Sequence, residues 1–128
     1  MRRALFAISA GLLVNVGAVA AQGQSPRTVT MAGALQQKYE ETKRNLRETA
    51  DAMPEAEFAF RPTAEIRSFA ELLGHIANTQ FNNCSIAKGE PNPSATIDNE
   101  KKTTKAELVK ALNDSFAYCD TAYAALTQ

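Results

Sequence analysis

The chain has 128 residues, with 14 Lys plus Arg against 14 Asp plus Glu and one histidine. Zero net charge leaves no field to draw in nucleic acid or an acidic membrane, and 7% aromatics without Trp leave no stacking platform for single strands, so no nucleic-acid partner is expected. One histidine also means that the chain by itself cannot build a multi-histidine metal centre.

Arg2 and Arg3 form a positive start, residues 4–14 an uncharged apolar run, and Ala18-Val19-Ala20-Ala21 a small-residue cleavage site. That is the pattern of a secretory signal peptide over residues 1–21. Asn15, Gly17 and Gln22-Gly23-Gln24 interrupt the run short of the roughly 20 apolar residues of a membrane span, so no stable span is expected after cleavage. Residues 22–29 are polar, contain Ser25-Pro26 and read as a flexible lead, and residues 30–128 as one domain. The expected location is periplasmic or extracellular, an oxidising compartment where the two cysteines favour a bond.

The first helical segment carries Met31, Leu35, Tyr39, Thr42, Leu46, Ala50 and Met53 at three- and four-residue spacing, and Pro54 ends it. The stretch from Pro54 to Arg67 holds Phe58, Phe60 and Ile66 and is expected to pack onto the domain. The second segment opens on Ser68 and Glu71, an S-x-x-E capping box. Its expected buried face is Phe69, Leu72, Leu73, Ile76 and Gln80, with Gly89 and Pro91 as the stop. Residues 88–103 are far longer than the usual link between antiparallel helices, which permits a crossover and a parallel second and third helix. The third segment opens on Thr104 and Glu107 in the same capping pattern and continues through Val109, Leu112, Phe116, Cys119, Tyr123 and Leu126. No segment alternates with period two, so an all-α fold without a sheet is expected.

The cysteine positions test the parallel arrangement. Cys84 lies 16 residues past Ser68 and Cys119 lies 15 past Thr104, which puts them at about 24 and 22 Å along their helices. Parallel helices let these sulfurs meet, whereas an antiparallel hairpin separates them by roughly 20 Å, far beyond disulfide reach. A Cys84–Cys119 bond is therefore expected, against the alternative of two buried thiols packed as small hydrophobes.

Few residues could carry chemistry. His75 sits on the flank of the second apolar stripe, about 120° from Phe69, and taken alone it reads as a hydrogen-bonded structural residue. Glu71 lies one turn earlier and could share a metal with it, but already serves the capping box. There is no H-x-x-x-H, no C-x-x-C, no phosphate loop and no G-x-S-x-G turn. Tyr118 and Tyr123 read as core and flank aromatics.

The run Phe60-Arg61-Pro62, then Ser68-Phe69-Ala70-Glu71-Leu72-Leu73-Gly74-His75-Ile76, resembles the second-helix signature of the DinB-like and YfiT-like metalloenzyme superfamily. Cys84-Ser85-Ile86-Ala87-Lys88-Gly89-Glu90 and Lys105-Ala106-Glu107-Leu108 resemble its exported members, and the similarity runs from about Met31 onward. The resemblance implies an up-down-down-up four-helix bundle of which this chain supplies the first three helices. It also implies a divalent metal, zinc or nickel, held by three histidines in a thiol-transferase or hydrolase scaffold. His75 matches the second-helix ligand and would face the bundle interior. The third helix ends near Gln128, before the two other ligands, so the expected metal site is incomplete unless ligands come from outside the chain. Three accounts stay open: a truncated copy of a longer protein, which is the preferred one, a partner chain supplying the fourth helix, or loss of the metal function. The expectation is an exported DinB-like domain with His75 as a single retained ligand. The alternative is a non-catalytic helical interaction module whose apolar seam is covered by a second copy or a partner helix.

Overall fold

The computed structural model describes residues 29–127; the expected signal peptide and nearly all of the lead lie outside them. The described residues form three α-helices, α1 (Met31–Ala52), α2 (Phe69–Lys88) and α3 (Lys105–Ala124), with short 3₁₀ turns at Glu55–Glu57 and Asn99–Lys101 and no strand.

Local chemistry sets the helix ends. Thr30 caps α1 by accepting the Gly33 N–H at 3.0 Å. At α2, Ser68 Oγ accepts the Glu71 N–H while the Glu71 carboxylate accepts the Ser68 N–H at 2.7 Å, so the capping box closes as expected. The next two free amides of α2 are taken by the preceding connection: Phe69 N–H donates to the Phe60 carbonyl and Ala70 N–H to the Phe58 carbonyl. Gly89 ends α2 at φ 67°, a left-handed position that suits glycine. At α3 the reciprocal box is not completed. Thr104 Oγ1 accepts the Glu107 N–H, but the Glu107 carboxylate accepts the Thr104 hydroxyl instead of its backbone N–H.

α3 is the central element. α1 and α2 both pack against it and hardly touch each other. α1 runs antiparallel to α3: Gln36 donates to the Tyr123 carbonyl near one end, and Lys105 Nζ donates to the Asp51 and Met53 carbonyls at the other. Lys105 thereby places a cation on the C-terminal carbonyls of α1, whose own last turn holds no basic residue. Midway, the buried Tyr39 hydroxyl lies 2.9 Å from the Phe116 carbonyl and 2.8 Å from Asp120, and its ring stacks on Tyr123. α2 runs parallel to α3. Asn99, just before α3, packs on Gly74 and Asn78 in the first half of α2, and Cys119 joins Cys84 toward the ends of both helices.

The Cys84–Cys119 disulfide is present with a Cα separation of 5.4 Å, and both residues are buried in the α2–α3 seam. That seam is built from small residues of α2, Ala70, Gly74 and Ala77 with Leu73, against Leu108, Ala111, Leu112 and Ser115 of α3. It departs from the expected α2 face, because Leu72 is 45% exposed and Phe69, Ile76 and Gln80 are only half-buried. On α1, Met31, Leu35 and Thr42 are exposed as well, leaving Tyr39 and Ala50 as its buried contacts.

The two connections also differ from expectation in detail. Phe58 alone of the first stretch enters the core, edge-on to Phe69 at 5.1 Å, whereas Phe60 and Ile66 face solvent. Burying a side chain such as Phe58 contributes roughly 1.5 to 3 kcal/mol. The crossover is fastened by polar groups. Asn99 is buried and donates from its backbone and side-chain nitrogens to Asn78 Oδ1. Its backbone lies so close to α2 that a Cβ on Gly74 would overlap the Asn99 carbonyl.

Candidate functional site

His75 projects from the flank of α2 toward the crossover. Its Nδ1 lies 2.8 Å from Glu100 Oε1, and Arg67 Nε donates to Glu100 Oε2 at 2.8 Å. The Arg67 hydrogen bond, with a smaller contribution from His75, holds the Glu100 carboxyl below its ordinary range. An ionised carboxylate only accepts, so the Nδ1 atom carries the hydrogen in this contact. The side chain is 41% exposed, so it sits on the rim of the bundle and not in its interior.

The other candidates are engaged elsewhere. Glu71 accepts the Ser68 N–H and a pair of contacts from Arg61 at 3.1 and 3.0 Å, and it does not join His75. Cys84 and Cys119 are consumed by their bond. Tyr118 reaches Glu90 at 3.2 Å with Lys88 over its ring, and Tyr123 stacks on Tyr39. Among the described residues no group of three or more His, Cys, Asp or Glu side chains is placed to hold a metal ion. A shallow depression beside His75 is completed by Ile76, Thr79, Gln80 and Asn83, which adds amides and a hydroxyl but no second imidazole. The residues present therefore do not fit a three-histidine centre.

A second feature gives the expected apolar seam a location that periodicity did not supply. Because α1 and α2 lean on α3 and hardly touch each other, a groove lies between them with α3 as its floor. At one end it widens into a cleft of about 280 Å³ lined by Leu35, Gln80, Asn83, Ala87, Tyr123 and Leu126. The line along α2 that faces away from the α3 seam is Leu72, Ile76, Thr79, Asn83 and Ile86, spaced by four and three residues and so lying within about 80° of arc. Leu72, Thr79, Asn83 and Ile86 are exposed and Ile76 is half-buried. The signal that could have found this surface is charge: residues 72–87 hold no Asp, Glu, Lys or Arg in a chain that is 22% charged. A helix without charge on any face is ordinarily covered on more than one side.

Polar chemistry elsewhere is structural. Burial pushes the Tyr39 hydroxyl far above the usual phenol range and the Asp120 carboxylate adds to this, so it stays a donor. Burial also pushes the Asp120 carboxyl up, but hydrogen bonds from Lys43 and Tyr39 outweigh it and hold the group below the ordinary aspartate range. Among the described residues no helix is long and apolar enough to cross a membrane. A sequence profile of the DinB superfamily matches residues 38–128. No curated protein and no solved structure matches the chain.

Proposed function

This chain belongs to the DinB superfamily, and from that premise we propose that it is an exported helical interaction module whose α1–α2 groove receives a helix. The observation that carries the reading is the groove itself. Two helices rest on a third and leave the uncharged line of α2 open. Exposed apolar surface arranged in one strip favours association, since burial contributes about 25 cal/mol per Å². Export is supported by the Arg2-Arg3 start, the apolar run and the small-residue stretch before Gln22, and by a disulfide of the kind that persists in oxidising compartments. A photocrosslinking amino acid at Gln80, in the exported protein in cells, tests the module. Cross-links to a helical segment are expected from Gln80 and not from Ala106 on the exposed face of α3; equal yields from both would refute the reading.

One observation favours a second reading. With Nδ1–H of His75 committed to Glu100, Nε2 is left as the acceptor nitrogen, the arrangement by which an outer carboxylate orients a histidine ligand. In that reading His75 is one ligand to zinc or nickel, and groups from outside this chain complete a transferase or hydrolase site. Stoichiometric metal in the purified protein, lost in His75→Ala, supports it; metal-free protein that still cross-links through Gln80 rejects it.

A further inference from the structure

We propose that a second copy of this chain covers the uncharged line of α2, with α2 packed antiparallel on α2 about a two-fold axis that passes near Thr79. The inference rests on the interaction-module reading and names its partner.

Symmetry supplies the first argument. In a two-fold contact each surface meets itself, so any charge on the shared strip faces its own sign. Residues 72–87 hold no Asp, Glu, Lys or Arg, whereas α1 carries charges from Lys38 onward and α3 carries Lys105, Glu107, Lys110, Asp114 and Asp120. Among the described residues, this stretch of α2 is the longest helical surface that can meet its own copy without setting like charges face to face. The second argument is spacing. Leu72, Ile76, Thr79, Asn83 and Ile86 follow one another by 4, 3, 4 and 3 residues, the a/d seam of a helix pair.

The two apolar ends of the line, Leu72 and Ile86, each lie seven residues from Thr79. An antiparallel pairing centred there sets Leu72 against Ile86 of the second copy, so that both apolar ends are covered. It sets His75 against Asn83 of the second copy, which offers the Nε2 atom left free by Glu100 an amide donor. Antiparallel helices also align their dipoles favourably.

Area is adequate. α2 has 20 residues, about 30 Å, and the free half of a cylinder about 11 Å across and that long amounts to roughly 500 Å². The adjoining strip of α1, where Leu35 is exposed, brings this toward the roughly 800 Å² per partner of a stable dimer.

The test is a charge swap at an exposed position that leaves the fold alone. Sedimentation of the disulfide-bonded mature protein should show a dimer at about 100 µM, and Thr79→Lys or Thr79→Glu alone should each weaken it about 30-fold by setting like charges face to face. Mixing the two variants should restore a heterodimer to within a few-fold of the parent, which a fold defect could not do. A monomeric parent, variants that dimerise as tightly as the parent, or a mixture that stays monomeric would each overturn the proposal. A monomer that still cross-links from Gln80 to a different protein removes the second copy but keeps the interaction module; a monomer without cross-links removes both.

Discussion

Replacing Cys84 and Cys119 by Ala, or reducing them, should lower stability by about 4 kcal/mol. The bond closes a loop with a sequence separation of 35 residues, and the chain-entropy relation for a loop of that size gives about 12 to 13 cal/mol/K, close to 4 kcal/mol at 25 °C. Against a total of roughly 5 to 15 kcal/mol this is a large share. The α2–α3 seam also keeps its apolar contacts and the Asn78–Asn99 pair when the sulfurs part, so the reduced protein should remain folded and only marginal. Urea unfolding of oxidised and reduced protein measures the difference as a midpoint shift of roughly 2 to 4 M at a slope of 1 to 2 kcal/mol/M. Because Cys119 has no exposed surface, free thiols should appear under native conditions only as fast as the seam opens. Equal midpoints for the two forms, or two free thiols in denaturant without reductant, would refute the reasoning.

Gly74→Ala should cost about 1 to 3 kcal/mol, against the usual gain from Gly to Ala in a helix, because the new Cβ meets the Asn99 backbone; a thermal melt at or above the parent's would count against the tight crossover. Asp120, whose folded value is depressed, should contribute stability that is complete above its unfolded value near 4 and is lost as pH falls through the folded value. Asp120→Asn should flatten that acid limb in urea titrations at successive pH values, and an unchanged limb would reject the Lys43–Asp120–Tyr39 cluster as its source. Mass spectrometry of the exported protein should find a mature N-terminus between Ala20 and Gly23; an intact Met1 would contradict export by a cleaved signal peptide.

What the sequence disclosed was what local rules govern. Ser68 with Glu71, Pro54 and Gly89 mark helix ends through bonds within one turn, and the Cys84–Cys119 pairing follows from two heights that a count of residues provides. Periodicity was less informative about partners. Met31 and Leu35 recur at helical spacing and Leu72 falls on the expected buried face of α2, yet all three are exposed, because a stripe shows only that a helix is two-sided and does not say which neighbour covers it. The crossover contacts were hidden for another reason. Gly74 and the Asn78–Asn99 pair join segments 21 to 25 residues apart through backbone approach and a buried amide, and neither leaves a period. A glycine inside an otherwise regular helix was the available hint, since it is tolerated there only with a packing reason. The resemblance points His75 inward, whereas its side chain lies 41% exposed on the rim beside Glu100.

The unequal attachment of the helices to α3 has a kinetic meaning. α2 is held to α3 by a covalent bond toward one end and by the docked crossover at the other. α1 is held by Tyr39 and Ala50 in the core and by a few polar contacts from Gln36, Lys43 and Lys105. The molecule therefore opens in order. α1 forms a unit that can lift away while α2 and α3 stay closed, and its amides should exchange with solvent through that smaller opening before the rest. A helix that leaves first is also one that returns last, so during folding the α2–α3 pair would be complete, and its sulfurs joined, before the groove acquires its second wall.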